Sequence, residues 1–249
     1  MTGPADRQGL ILATDLDGTF LGGSEAQRAA LYGWIEARRD DVMLVFVTGR
    51  DLPFIRELAA QGVPRPDYVI GDVGTTIAGG PGIEPITELE APIAAAWGNA
   101  GARVHAMLKD EPGLRPQETP FRYRMSYYYE PGLLRPSARE KVERAGFDCI
   151  TSADLYFDVL PPGVSKGPTL VHLMTHLGIA QDKVLVAGDT LNDLSLFKTP
   201  YAGVAVSNSE PALVKKLRGM PNVHLSRQPG AAGIADAIAH HGFMIEGAQ

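Results

Sequence analysis

LILATDLDGT (residues 10–19) sets an apolar run, Leu10 to Ala13, directly before two carboxylates, Asp15 and Asp17, and a Gly18-Thr19 turn. Four apolar residues closed by turn formers read as a short buried strand. Acidic residues next to a glycine are also an ordinary way to end a strand and begin a loop. The stretch alone therefore leaves two readings open: the pair merely closes a strand, or the strand aims both carboxylates at a metal and a substrate.

The rhythm around it points to a fold. The helical stretch EAQRAALYGWIEARR (25–39) carries apolar residues at Leu31, Trp34 and Ile35. VMLVFVTG (42–49) follows as a strand, then a helix near 52–61 with Pro53 in its first turn. YVI (68–70) and TTI (75–77) flank the turn GDVG. The C-terminal third repeats the pattern: a helix at about 168–178, KVLVAGD, LNDLSLF, AGVAV, a helix at about 210–217, VHL, and a last helix near 231–241. Strands alternating with helices predict an α/β fold, a doubly wound, Rossmann-like parallel sheet covered on both faces.

The middle breaks the pattern. After GGPG (79–82) come an Ala-rich helical segment, the proline-punctuated FRYRMSYYYEPG (121–132), a helix at about 137–145, and the strands FDCIT and YFDVL, closed by PPG (161–163). A helix–strand–helix–strand block between glycine-rich and proline-rich hinges predicts a smaller α/β cap inserted at 81–164 into a core formed by 1–80 and 165–249.

Composition narrows the class. The 249 residues are 45% hydrophobic and 21% charged, ordinary for a globular protein, and the formal net charge of −6 argues against nucleic acid as the main partner. Cys149 is the only cysteine, which excludes an intrachain disulfide and a cysteine zinc cluster. The apolar stretch before Asp15 is too short for a signal peptide, and no run approaches the roughly 20 apolar residues of a membrane helix. A cytoplasmic protein without a membrane partner is expected, as a monomer or a homodimer.

Two further motifs end predicted strands: VFVTGR (45–50) at Thr48, and VLVAGDTLND (184–193) at Asp189, with Asn192 and Asp193 just beyond. Carboxyl ends of parallel strands line one crevice, so these residues are expected to meet although about 170 residues separate the first from the last. Lys166 in SKGPT (165–169) sits just before a helix and can reach the same place. Asp15 and Asp189 supply hard oxygen ligands suited to Mg²⁺. A carboxylate is ionised at neutral pH and can attack phosphorus without an activating base once a metal offsets the repulsion. Lys166, the Thr48 hydroxyl and backbone N–H groups after Asp15 can stabilise charge on the equatorial oxygens. Asp17, beside another carboxylate, is placed to exchange a proton with the leaving alcohol. The set fits phosphoryl transfer through an aspartyl-phosphate.

DLDGT, VTGR, SKG and GDTLND, in this order with a cap-sized insertion, resemble the four motifs of the haloacid dehalogenase-like phosphatases. The resemblance implies Asp15 as nucleophile and Asp17 as general acid/base. It implies Mg²⁺ on the Asp15 side chain, the Asp17 backbone carbonyl and Asp189, with Asp193 supporting the metal or its waters. Thr48, Gly49, Lys166 and Asn192 would contact phosphate. Within that superfamily, YVIGDVGTTI, DVLPPGVSKG and AAGIADAIAHHGF resemble the sucrose-phosphate phosphatase family. RMSYYYEP resembles that family's cap strand, which would put Arg124 near a sugar, and Arg50 of VTGR joins it as a substrate contact. The implied substrate is a small sugar phosphate, sucrose 6-phosphate or a related glycosyl phosphate.

A hexose phosphomutase would share these motifs and need a second phosphate site, for which Arg115, Arg122, Arg124 and Arg135 are candidates. A non-catalytic sugar-phosphate binding protein is the remaining alternative. His172 and His176 lie four apart on a helix, but HLMTH lacks the glutamate of a zinc-protease motif, so an amphipathic face is expected. Lys215, Lys216 and Arg218 read as a solvated helix end. Strand alternation points Tyr127 and Tyr129 to one face and Tyr128 to the other; aromatic faces suit sugar rings, but sheet packing needs the same residues, so packing is expected ahead of a sugar contact.

Overall fold

The computed structural model describes residues 9–243. The limits 1 and 249 of the expected core, and residues 1–8 on which the leader reading partly rests, lie outside them. The chain runs through β1 (Leu10–Thr14), α1 (Glu25–Glu36), β2 (Val42–Val47), α2 (Leu52–Ala60), β3 (Tyr68–Gly71), β4 (Thr76–Gly79) and β5 (Glu84–Pro85). Then come α3 (Thr87–Trp97), α4 (Gly101–Leu108), β6 (Leu114–Pro116), β7 (Met125–Tyr129), α5 (Pro136–Arg144), β8 (Asp148–Ser152) and β9 (Tyr156–Leu160). The last third is α6 (Lys166–His176), β10 (Val184–Gly188), α7 (Leu194–Phe197), β11 (Ala202–Ala205), α8 (Pro211–Leu217), β12 (Val223–Leu225) and α9 (Gly230–His240).

Eight strands form one sheet in the order β12-β11-β10-β1-β2-β3-β4-β5. It is parallel from β12 to β3 and antiparallel from β3 through β5. Alternation within each central strand feeds two apolar layers. Leu10, Leu12, Leu44 and Phe46 face α1, α2 and α9 through Leu31, Ile35, Ile55, Leu58, Ile234 and Ile238. Ile11, Ala13, Met43 and Val45 face the other way, onto Leu170, Leu173, Leu196, Phe197 and Leu213. Helix starts are set locally. Ser24 and Gln27 exchange side-chain-to-backbone bonds as a capping box for α1. Asp51 accepts from the Phe54 N–H to start α2, with Pro53 in its first turn.

The inserted unit is a four-stranded antiparallel sheet, β6-β7-β9-β8. Tyr127, Tyr129, Phe157 and Val159 point to one face and pack with Val104, Leu108, Ala138 and Val142 of α4 and α5. Cys149 fills this cluster, and burial pushes its thiol up to about 11. Strand alternation leaves Arg124, Ser126, Tyr128, Tyr156 and Asp158 for the opposite face.

The core sheet continues past the expected boundary at residue 80. Glu84–Pro85 pairs with β4, and α3 straddles both units: Leu89 and Ile93 pack under the core sheet, Trp97 in the cap cluster. No helix among the described residues is long and apolar enough to cross a membrane.

Candidate active site

The order β10-β1-β2 at the centre of the sheet is what assembles the site. Thr14 is level with Ala187 on one side and Phe46 on the other, so Asp15, Asp189 and Thr48 leave neighbouring strands at the same edge. The Asp15 N–H donates to the Ala187 carbonyl at 2.9 Å, holding the turn onto β10. Gly18 has φ +78°, and a Cβ there would lie 2.2 Å from Asp189 Oδ2. Only glycine lets the turn pass so close to that carboxylate. Thr19 Oγ1 then donates to Asp189 Oδ1 at 3.0 Å.

Lys166 is fully buried at the start of α6, and its Nζ donates to Asp15 Oδ1 (2.7 Å), Asn192 Oδ1 (2.9 Å) and Asp193 Oδ1 (2.6 Å). The other Asp193 oxygen accepts the N–H groups of Asp189 and Thr190, both at 3.0 Å. Both Asp193 oxygens are thus occupied, whereas among the described residues no hydrogen bond reaches Asp15 Oδ2 or Asp189 Oδ2.

Asp15, Asp189 and Asp193 are buried, with one oxygen of each within 4.8 Å of the others. Three carboxylates against one ammonium leave excess negative charge where water cannot screen it. Burial, reinforced by Asp193, pushes Asp15 up to about 7 against the pull of Lys166. Burial, then Asp193 and Asp15, push Asp189 up to about 8. Burial works against the Lys166 charge as well, but Asp15 and Asp193 outweigh it and hold its pKa above the ordinary lysine value. Two free oxygens beside uncompensated charge fit a hard divalent cation. Among the expected ligands, Asp15 and Asp189 present free oxygens, Asp193 braces them, and the Asp17 side chain points elsewhere.

Asp17 is held by Arg50 in a two-pronged pair, Nε to Oδ2 at 2.7 Å and a terminal nitrogen to Oδ1 at 2.8 Å. The guanidinium also lies 4.4 Å over the Phe54 ring. A pocket of about 450 Å³ opens here between the core and the cap. Asp15, Asp17, Gly49, Arg50 and Asn192 line it from below, and Gln117, Thr119, Tyr128 and Tyr156 from the cap. Thr48, Lys166, Asp189 and Asp193 sit behind that wall. Thr48 is fully buried, and its hydroxyl accepts the Arg50 N–H at 3.2 Å.

Arg124 also lines the pocket but is largely committed. One terminal nitrogen donates to Asp158 at 2.9 Å, and the other to the Gly49 carbonyl at 3.0 Å and Asp72 at 3.2 Å. Its Nε alone is buried without a partner. The arginine thereby joins the cap to the loop after β2. The four arginines considered for a second phosphate site do not converge. Arg122 is paired with Glu90, Arg115 lies over the Tyr128 ring and Arg135 precedes α5, so only Arg124 reaches the pocket. Tyr128 is the member of its triplet that faces the pocket, while Tyr127 and Tyr129 are buried in the cap. His172 and His176 are exposed rather than part of a half-buried face, and Lys215, Lys216 and Arg218 are solvated.

Several contributors escaped the motif reading. Thr19 stood inside DLDGT and its hydroxyl was the available signal. Asn208, which donates to the Gly18 carbonyl at 2.9 Å, and Asp72 and Asp158, which hold Arg124, lie far away in sequence with no pattern linking them.

The family model described as sucrose-6F-phosphate phosphohydrolase matches residues 8–242. A glucosylglycerol-phosphate synthase from Pseudomonas anguilliseptica is 39% identical over 94% of this chain and 31% of its own length. Sucrose-phosphatase 2 of Nicotiana tabacum is 28% identical over 93% of this chain and 59% of its own length. A mannosylfructose-phosphate phosphatase from Agrobacterium fabrum is 29% identical over 93% of this chain and 96% of its own. The chain therefore spans about a third of the synthase and about three fifths of the tobacco protein. Among solved structures, the sucrose-phosphatase of Synechocystis sp. PCC6803 with sucrose and phosphate superposes with a TM-score of 0.86 at 27% identity, covering 95% of this chain and 99% of that one.

Proposed function

The chain belongs to the sucrose-6F-phosphate phosphohydrolase family, and we propose that it is a Mg²⁺-dependent phosphatase that hydrolyses a phosphate monoester on a sugar. The observation that carries this is a pocket that brings Asp15, Asp17 and a polar, aromatic cap wall together. Its volume falls in the range of about 300–1,000 Å³ usual for small-molecule sites. The substrates of this reading are sucrose 6-phosphate and related glycosyl phosphates, including those for which the relatives are named.

Asp15 attacks phosphorus through its carboxylate, whose orientation the Lys166 bond to Oδ1 fixes. The bond from phosphorus to the sugar oxygen breaks, and Asp17, protonated and released from Arg50 when substrate is bound, gives that oxygen its proton. Asp17 then takes a proton from the water that hydrolyses the aspartyl-phosphate, regenerating Asp15. Lys166, Asn192, Thr48 and the Gly49 backbone hold the phosphoryl oxygens, and Arg50 and Arg124 face the sugar side. Asp15, Asp189 and the Asp17 peptide carbonyl would hold Mg²⁺, with Asp193 in support, and the ion would supply positive charge that offsets the repulsion between a carboxylate and a phosphate dianion. The cap excludes water and selects the sugar.

A panel of sugar phosphates tests this reading: sucrose 6-phosphate, mannosylfructose phosphate, glucosylglycerol phosphate and hexose phosphates, each with and without Mg²⁺. Phosphate release that depends on Mg²⁺ and favours a glycosyl phosphate over plain hexose phosphates is expected. Folded protein that releases phosphate from none of them contradicts it.

The carboxylate cluster gives a second expectation. Asp15 near 7 and Asp189 near 8 stand far above the unfolded value of about 3.9, so the metal-free folded state holds protons that the unfolded chain releases. Metal-free stability contributed by these groups is therefore present at low pH and lost as pH rises toward about 8. Mg²⁺ binds the deprotonated forms and restores what is lost. The rise in Tm on adding Mg²⁺ is expected to be larger at about pH 8.5 than at about pH 6, read by differential scanning fluorimetry. An equal rise at both pH values contradicts the placement of the metal among these carboxylates.

A further inference from the structure

The geometry points to Glu210 as a positioning residue that ties the tip of the cap to the loop carrying the acidic cluster; this rests on the phosphatase reading. Glu210 immediately precedes α8. Its own N–H donates to the Asp189 carbonyl at 2.8 Å. Its side chain then divides its two oxygens between the units. Oε2 accepts the Leu191 N–H at 2.8 Å, inside the loop between Asp189 and Asp193. Oε1 accepts the Ala153 N–H at 2.8 Å, from the hairpin between β8 and β9, 57 residues away in sequence.

That hairpin has a shape that calls for explanation. Ala153 and Asp154 both have positive φ, 53° and 46°, and the Leu155 N–H donates to the Ser152 carbonyl at 3.1 Å. This is the turn with two left-handed central residues, where Asn and Gly are the usual occupants. Alanine and aspartate hold it only because surrounding contacts impose it, and strain of this kind gathers where a segment has a task. Here the turn presents the Ala153 N–H to Glu210.

Both sides of the contact border the pocket. Ser152, Ala153 and Tyr156 line it from the cap, and Thr190 and Asn192 from the loop. Glu210 stands behind this seam and holds it shut. Lifting the cap removes the Ala153 donor from Glu210, and the same carboxylate braces the loop of Asp189, Asn192 and Asp193. The position of the cap is thereby linked to the geometry of the phosphate and metal site. A carboxylate is required because two N–H groups must be accepted at once, and an amide has one acceptor oxygen.

Glu210→Ala and Glu210→Gln test the inference on two esters: the glycosyl phosphate that the wild type turns over best, and p-nitrophenyl phosphate, which has no sugar hydroxyls for the cap to engage. The Gln variant keeps the side-chain volume and one acceptor, so a folding failure of the Ala variant leaves the test intact. For both variants, kcat/KM for the sugar ester is expected to fall at least about tenfold more than for p-nitrophenyl phosphate. The Gln variant is expected to lose less than the Ala variant. Equal losses on the two esters would show a plain brace of the acidic loop and overturn the inference, as would no loss on either. A wild type inactive on every sugar phosphate would overturn the phosphatase reading itself.

Discussion

Asp15→Asn lowers phosphate release from every ester by about 10⁴-fold or more, because it replaces the attacking oxygen and leaves the rest of the site standing. The substitution keeps the side-chain volume, and the amide oxygen can still accept from Lys166, which donates to Asp15 at 2.7 Å in the parent. It also removes one of three buried carboxylates that repel one another across less than 4.8 Å. The metal-free variant is therefore expected to melt no lower than the wild type. Steady-state phosphate release, paired with thermal denaturation of the same samples, separates loss of chemistry from loss of fold. Activity within tenfold of wild type would remove Asp15 from the chemistry.

Lys166→Met is expected to affect both stability and turnover. The ammonium is fully buried and is the shared partner of Asp15, Asn192 and Asp193. Methionine fills a similar volume but leaves the two carboxylates facing each other without a counter-charge. Removing one partner from a buried ion pair costs about 3–5 kcal/mol, and the metal-free variant should lose stability of that order in urea denaturation at about pH 8.5, above the value near 7 to which Asp15 is raised. Mg²⁺ should return part of it, since a cation replaces some of the missing charge. Turnover should fall by about 10²–10³-fold, as when one preorganised charge-stabilising group is removed. A loss below about 1 kcal/mol in the metal-free protein would mean that the carboxylates are protonated or solvated, not dependent on Lys166.

The residues of the candidate site were legible in the sequence because they sit where strands stop. LILAT, VMLVFV and VLVAG are short runs whose ends are marked by acidic, hydroxyl or glycine residues, and parallel order brings those ends together. What the motifs could not convey was occupancy. Asp193 reads as a support for the metal or its waters, and the sequence does not show that both its oxygens are taken by Lys166 and two backbone N–H groups. Arg124 reads as a sugar contact, yet most of its donors go to Asp158, Gly49 and Asp72, partners 34, 75 and 52 residues away.

The edge of the cap was illegible for a different reason. GGPG looks like a hinge, but Glu84–Pro85 is a two-residue strand, too short to carry a period. α3 serves both units at once, with apolar residues spaced for one continuous helix and no break in composition between Ile93 and Trp97. β6 is three residues long and ends in a proline, so it too offers no alternation to detect. Glu210 belongs with these: its role depends on a cap turn and a core loop meeting, and neither neighbourhood carries a motif.

The claim on which the account depends is that a phosphoryl group passes through Asp15. Wild-type enzyme should be quenched in acid during turnover of its best glycosyl phosphate with Mg²⁺, digested, and examined by mass spectrometry. The account predicts a phosphoryl group on the peptide that carries Asp15, absent from Asp15→Asn treated in the same way. Steady turnover with no phosphoryl group on that peptide, when quenching traps the aspartyl-phosphate of a control enzyme, would contradict it.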